Sequence, residues 1–337
     1  MAAKLKDIAE KLNLSATTVS MVLNNKGNRI PKETEELIRR TAKELNYRPN
    51  RMAVSLVTRR SMNVALLVPD IGNTFFAELA KHVGEYLKTK GYNLLLCNTN
   101  NDIEEDIRLL KMLRANTVDG IIGVFTGESE EYSSEIERTL SDDIAIVMMD
   151  KLVKGVTTPY VGTDNFYGGK LAMSHLIENG HENIAVVTGP LSTVSGQQRL
   201  AGSREALAEA GIEFRRENLF LGDYQYESGY RAGQQIAQNG ALTAVFASND
   251  MMAYGVYKAA KEAGRVIGKD LSVVGFDDLL FSSMLDVPLT SIRQPVEEIA
   301  VRAVDILLNC IESQSADTVG GLTLPTLVER ESVCRLK

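Results

Sequence analysis

The chain has 337 residues, of which 44% are apolar and 24% charged. That composition belongs to a globular protein of two to three domains and excludes a disordered or fibrous chain. No apolar run approaches the ~18 residues of a membrane span, and the early lysines precede no apolar signal core, so a cytoplasmic protein without membrane association is expected. Three cysteines (Cys97, Cys310, Cys334) and three histidines (His82, His175, His181) fit neither a disulfide framework nor a zinc motif. No metal or other cofactor is expected.

The net charge of −7 is unevenly distributed. Residues 1–60 hold 13 Lys+Arg against 6 Asp+Glu, a net +7, which leaves −14 for the remainder. A basic head on an acidic body points to a polyanion partner or, more plainly, to a solvated basic face. Leu5, Ile8, Ala9 and Leu12 have helical spacing. Asn13 suits a left-handed turn, and Ser15 is a good cap for a second helix over 16–24. Val19, Val22 and Leu23 face inward on that helix. Two short helices joined by so tight a turn predict a helix-turn-helix, the alternative being any small helical bundle. In that reading Ser15, Ala16 and Thr17 let the backbone approach DNA, and Thr17 can meet base edges. Thr18, Ser20, Met21 and Asn24 occupy the other outward positions.

Pro31 starts a third helix, with Leu37, Ile38, Thr41, Ala42 and Leu45 as its buried stripe. Beyond Tyr47 and Pro49, Asn50 can cap a helix over 51–57 that is too short to stand alone in water. Leu56 is there either a minor-groove wedge or a leucine that packs on the body.

From residue 62 the pattern alternates strand and helix. Strand-like runs fall at 63–68, 92–97, 118–124, 144–149, 183–188, 243–247 and 271–275. Helical stretches fall at 75–89, 102–115, 129–140, 165–179, 196–210, 227–239 and 251–263. Two such series predict two parallel-sheet lobes with the carboxyl ends of their strands around one cleft. Enzymatic chemistry is not indicated. There is no GxGxxG and no GxSxG, and Gly264–Lys269 is one residue short of a phosphate loop and reads as a surface turn. Asp277 and Asp278, adjacent in an extended segment, would point opposite ways. The polar and aromatic residues just after strands are more informative: Asn73, Phe75, Phe76, Asp150, Lys151, Arg199, Tyr224, Asn249, Asp277 and Gln294. Singly each reads as a helix cap or a core residue. Together they suit a small polyhydroxylated ring.

In the head, Leu5-Lys6-Asp7-Ile8-Ala9, Val19-Ser20 with Val22-Leu23-Asn24, and Leu45-Asn46-Tyr47-Arg48-Pro49-Asn50 resemble the lactose-repressor family of bacterial transcription regulators. The likeness spans essentially the whole chain. It departs at Asn13, where glycine is usual, at Met21, where arginine is frequent, and in loop 25–30, which is about a residue longer than in the lactose repressor. The body resembles the periplasmic sugar-binding fold. Within the family it is similar to ribose repressors through Leu96-Cys97-Asn98-Thr99, Val147-Met148-Met149-Asp150, Asp164-Asn165 with Gly168-Gly169, Thr188-Gly189-Pro190-Leu191, Arg199-Leu200 with Gly202, and Gly222-Asp223-Tyr224. Lys151 stands where arginine is expected.

The resemblance implies an all-α helix-turn-helix domain over 1–46 and a hinge helix and linker over 47–61. It implies an α/β, type I periplasmic-binding-protein-like effector domain over 62–337. That domain would have one lobe of about 62–161 and 293–321 and another of about 162–292 and 322–337. It further implies a homodimer on a pseudo-palindromic operator, with Leu5, Ser15, Ala16, Thr17, Thr18, Ser20, Met21, Asn24, Tyr47, Asn50, Arg51, Ala53 and Leu56 at the DNA. The effector would be a sugar, a pentose such as ribose first, with a purine acting as corepressor as the alternative. An intracellular sugar-binding protein whose head is incidental is the contrasting reading.

Overall fold

The computed structural model describes residues 3–23, 30–47, 60–115, 118–125, 130–142, 144–149, 153, 155–313 and 320–336. The chain divides into two compact units, Met1–Ser61 and Met62–Lys337. The expected hinge helix over 51–57 lies outside the described residues.

The head contains α1 (Leu5–Leu12), α2 (Ala16–Leu23) and α3 (Lys32–Glu44). Asn13 ends α1 in the left-handed conformation, φ 53°, as a short polar side chain permits at modest cost. Ser15 Oγ then accepts from Thr18 N at 3.0 Å and starts α2. Ile8, Ala9, Val19, Val22, Ile38 and Ala42 form the head's own core. Leu37 was expected in that core but is 38% exposed. The buried stripe of α3 is Ile38, Thr41 and Ala42, and Leu37 lies at its edge. Arg39 Nη2 ties α3 to α2 by donating to the Val22 carbonyl at 3.0 Å.

The body holds two six-stranded sheets. The first is built from β1 (Asn63–Val68), β2 (Asn93–Asn98), β3 (Gly120–Gly123), β4 (Ala145–Met149), β5 (Tyr160–Thr163) and β11 (Gly321–Thr323), in the order β11-β5-β4-β3-β1-β2. It is parallel throughout. The second is built from β6 (Ile184–Thr188), β7 (Leu219–Leu221), β8 (Ala244–Ala247), β9 (Ser272–Asp277), β10 (Thr290–Arg293) and β12 (Thr326–Val328), in the order β12-β10-β9-β8-β6-β7. Here only β12 runs antiparallel, against β10. The central strands are apolar along their whole length, as sheets covered on both faces require. In β1, Val64 through Val68 are all buried.

Helices α4 (Thr74–Thr89), α5 (Ile103–Ala115) and α6 (Glu130–Ser141) follow strands of the first sheet, and α7 (Asn165–Glu178), α8 (Val194–Glu209), α9 (Tyr226–Gln238) and α10 (Asp250–Glu262) precede or follow strands of the second. The long α11 (Val296–Ser313) returns to the first sheet, where Ile299, Ala303 and Leu307 join the core of β1 and α4. In both sheets the order reverses beside the first strand, between β1 and β3 and between β6 and β8. In open parallel sheets a crevice forms at such a reversal, at the carboxyl ends.

The chain passes between lobes three times, after Thr163, after Arg293 and after Thr323. The first and third passages come two residues later than the sequence boundaries of 161 and 321, because β5 and β11 pair up to Thr163 and Thr323. The short strands β5, β7, β10, β11 and β12, with α11, complete the sheets beyond the runs read from the sequence.

Helices α7 and α8 pack backbone to backbone. A Cβ at Gly169 would overlap the carbonyl of Arg199, and one at Gly202 would overlap the carbonyl of Phe166. This approach sets the depth at which α8 carries Arg199. Gly169→Ala should therefore destabilise the body by about 2–3 kcal/mol through overpacking, read as a lowered midpoint in urea. An unchanged midpoint would show that the helices separate freely.

Candidate functional site

Two sites emerge, one in each unit. On the head, Ser15, Ala16, Thr17 and Met21 are exposed and Thr18 and Ser20 half-buried. The first turn of α2 and its outer face therefore stand open to solvent. Leu5 and Tyr47 are half-buried against the head's core, so each presents only an edge. Asn24, Asn50, Arg51, Ala53 and Leu56 lie outside the described residues.

On the body, a cavity of about 610 Å³ opens at the carboxyl ends of both sheets. Eight of the sequence-predicted residues line it: Asn73, Phe75, Phe76, Arg199, Tyr224, Asn249, Asp277 and Gln294. Asp150 and Lys151 lie outside the described residues.

The first lobe contributes faces. Asn73 caps α4, its Oδ1 accepting from Phe75 N at 3.1 Å. That cap holds Phe75 and Phe76 edge to face, with ring centroids 5.1 Å apart. Phe125, just past β3, adds a fully buried ring. It follows a strand as the other predicted residues do, but it also reads as the end of an apolar run.

The second lobe contributes a buried guanidinium. Arg199 is 4% exposed. Its Nε donates to Asn165 Oδ1 at 2.8 Å and its Nη1 to the Ser248 carbonyl at 2.6 Å. The guanidinium lies 3.6 Å over the Phe276 ring, a favourable stacking for a weakly hydrated planar cation. The Asp277 carboxylate is 4.0 Å from Nη1. Asp277 Oδ1 also accepts from Gln294 Nε2 at 2.6 Å.

Tyr224 sits at φ 66°, its hydroxyl 3.0 Å from Ser195 Oγ, and its ring lies against Gly189, where a Cβ would collide with it. Asn249 caps α10 through Oδ1 to Met252 N at 2.9 Å, and its Nδ2 donates to the Tyr224 carbonyl at 2.9 Å. Both ends of this amide are thus engaged, so Asn249 shapes the cavity by fixing Tyr224. Thr193, Ser195 and Asn101 supply further polar lining. None was singled out in the sequence, where Thr193 and Ser195 look like an ordinary helix start. At the rim Gln225 Nε2 reaches Asp70 Oδ2 across the lobes at 3.4 Å.

Asp277 and Asp278 diverge, but not as neighbours in an extended strand. Both have left-handed backbone, φ 108° and 57°, a conformation that costs a non-glycine residue energy and persists only where its surroundings enforce it. The enforcement is visible. Asp278 turns away from the cavity to Arg293 and Arg330, at 2.7 and 2.6 Å. Behind it Asp250, fully buried, accepts from Leu279 N, Ser282 Oγ and Ser291 Oγ. Burial outweighs the three hydrogen-bond donors and, with Asp278 nearby, holds the Asp250 carboxyl up at about 6. Among the described residues no group of three or more His, Cys, Asp and Glu side chains could hold a metal ion.

Comparison with known proteins is consistent across the chain. Residues 4–50 match the family described as bacterial regulatory proteins, lacI family, and residues 173–333 match the periplasmic binding protein-like domain. The HTH-type transcriptional repressor PurR of Erwinia tasmaniensis is 38% identical, over 98% of this chain and 97% of its own. A lac repressor dimer bound to operator and the anti-inducer ONPF superposes with a TM-score of 0.87 at 27% identity, covering 99% of this chain and 100% of that one. A LacI family transcriptional regulator from Enterococcus faecium with bound ribose superposes with a TM-score of 0.73 at 28% identity, over 82% of this chain and 100% of its own.

Asp250 gives the site a pH signature. A carboxyl whose folded-state value is raised favours the folded protein at low pH and loses that contribution as the pH rises from about 4 through about 6. Relative to Asp250→Asn, whose side chain does not titrate, the wild type should lose about 2–3 kcal/mol of unfolding free energy between pH 4 and pH 7. Parallel denaturation curves at the two pH values measure it. A constant difference between the two proteins would mean that Asp250 is not strained by its burial.

Proposed function

This chain belongs to the lacI family of bacterial regulatory proteins and is a DNA-binding transcriptional repressor, and from that premise we propose that an uncharged ring compound in the body's cleft sets its hold on a pseudo-palindromic operator. The reading takes a cytoplasmic homodimer that catalyses no reaction. Two copies of α2 enter successive major-groove turns, with Thr17 and Met21 facing base edges. Where an arginine could grip guanine, Met21 offers only apolar contact.

One observation carries the class of the effector. Arg199 is the one cation among the described residues lining the cavity, against the carboxylates Asp70, Asp223 and Asp277. Two of its five N–H donors are taken by Asn165 and Ser248, and its charge is balanced by Asp277. Among the described residues a phosphate buried here would meet three carboxylates and one cation whose charge Asp277 already balances, and an uncompensated buried charge is costly. An uncharged ring finds aromatic faces in Phe75, Phe76 and Tyr224. At its edges it finds Asp277, Gln294, Thr193 and Ser195.

Of the two ring classes, the purine base is the leading reading, in place of the pentose expected from the sequence. The relatives aligned over nearly the whole chain and named PurR favour it. The ribose held by the Enterococcus faecium regulator keeps a pentose as the second reading. A purine would act as corepressor, favouring the lobe arrangement that supports operator binding. A sugar would act as inducer. In either case the response is bounded by the differential affinity for the two arrangements.

Operator binding measured by fluorescence anisotropy, with hypoxanthine and with D-ribose, tests the proposal. Hypoxanthine should tighten binding to a palindrome from the gene's upstream region by about 10-fold, within the usual range of allosteric coupling. Asp277→Ala should keep the binding and lose the response. Binding indifferent to sequence, or a response that survives Asp277→Ala, would overturn the assignment.

A further inference from the structure

Thr163 does not line the cavity, yet it belongs to a closed circuit that begins and ends there. It is the last residue of β5, at the first passage between lobes, and is 1% exposed. Its Oγ1 lies 2.6 Å from Gln294 Oε1. Gln294 is the first residue beyond β10, at the second passage, and its Nε2 donates to Asp277 Oδ1 at 2.6 Å. The directions of these bonds are fixed by chemistry. An ionised carboxylate only accepts, so Gln294 must turn its NH2 group to Asp277. Its oxygen then faces Thr163, whose hydroxyl must donate.

The circuit closes through the backbone. Asn165 Nδ2 donates to the Thr163 carbonyl at 3.2 Å, and Asn165 Oδ1 accepts from Arg199 Nε at 2.8 Å. Arg199 faces Asp277 again at 4.0 Å. Thr163, Asn165, Arg199, Asp277 and Gln294 are all buried. Two of the three strands of chain that join the lobes are therefore bonded side chain to side chain, and the same glutamine holds the carboxylate that faces the cavity. The third passage is tied to the first by Asp164 N, which donates to the Thr323 carbonyl at 2.9 Å, and by Thr323 Oγ1, which donates to the Gly162 carbonyl at 3.1 Å.

We infer that Thr163 is a positioning residue that couples the occupancy of Asp277 and Arg199 to the relative setting of the two lobes. A ligand that draws on the Asp277 carboxylate changes what that group offers Gln294. Gln294 cannot turn its amide without breaking the bond to Thr163, and both ends of this relay sit where the lobes pivot. Bonds of this kind, short and shielded from water, transmit such a change because no solvent can replace a lost partner. The inference rests on the cleft's being the effector site, so its test is built to separate the two.

The first measurement needs no effector. Hydrogen exchange in full-length Thr163→Val, which keeps the shape and removes the donor, should quicken about 5- to 10-fold at the amides of 277–279 in the opposite lobe. Exchange in 63–68 should stay as in the wild type, and Thr163→Ser should restore the wild-type pattern. Quickening confined to 160–165, or one that Thr163→Ser fails to reverse, would overturn the relay. The second measurement is operator anisotropy with hypoxanthine and with D-ribose. Where the wild type responds, Thr163→Val should keep its effector-free operator affinity and lose at least about 5-fold of the response. A full response in Thr163→Val would also overturn the relay. A wild type that responds to neither compound contradicts the proposed effectors, while the exchange measurement still decides the role of Thr163.

Discussion

A guanidinium removed from water must have its donors satisfied and its charge balanced, or the fold around it fails. Arg199 imposes that constraint on the body. It draws Asn165 from the start of α7, the Ser248 carbonyl from the end of β8, Phe276 from β9 as a stacking face, and Asp277 as counter-charge. The glycines between α7 and α8 let the helix that bears it come close enough to reach all four. Once these groups are fixed, Asp277 projects into the cleft, and its left-handed backbone is the local cost of that placement. The ion pair is a positional device more than a source of stability, since buried pairs gain little net free energy over apolar packing.

From this centre the structure leads outward in two directions. Asp278, Arg293, Arg330 and Asp250 pin the turn after β9 from behind. Gln294 and Thr163 carry the same hydrogen-bonded chemistry to the passages between lobes. A ligand whose polar edge competes for Asp277 therefore acts on an element already joined to the pivot. This supplies the differential interaction that any ligand-driven shift of conformation requires. The head contributes a separate, self-contained core and an exposed helix start.

Much of this was legible in the sequence because parallel sheets place their ligands by a simple geometric rule. Reading the polar residues after each strand brought Asn73, Arg199, Tyr224, Asp277 and Gln294 to one cavity although as many as 221 positions separate them. The rule misses residues whose own signals are stronger. Phe125 reads as the end of an apolar run, and Thr193 and Ser195 read as a helix start. Asn249 was found for the right place but has both amide ends engaged. Asp250, next to it, looks like an ordinary first-turn acid and is in fact the buried anchor of another loop. Strands of three residues such as β7, β11 and β12 are too short to show a period, and they exist because neighbouring strands offer them free backbone groups. The class of ring in the cleft was the least legible feature, since hydroxyl-bearing and heterocyclic rings draw on the same amides, carboxylates and aromatic faces.

The central claim is that the charge of the one cation described in the cleft is already balanced by Asp277, so that the effector arrives without a phosphate. Calorimetric titration of the full-length protein with matched pairs, hypoxanthine against inosine 5′-monophosphate and D-ribose against D-ribose 5-phosphate, tests it most directly. In the pair that binds, the unphosphorylated member should be the tighter by about 100-fold or more, the scale expected for a buried charge without a partner. A phosphate ester that binds as tightly as its parent, or more tightly, would contradict the account.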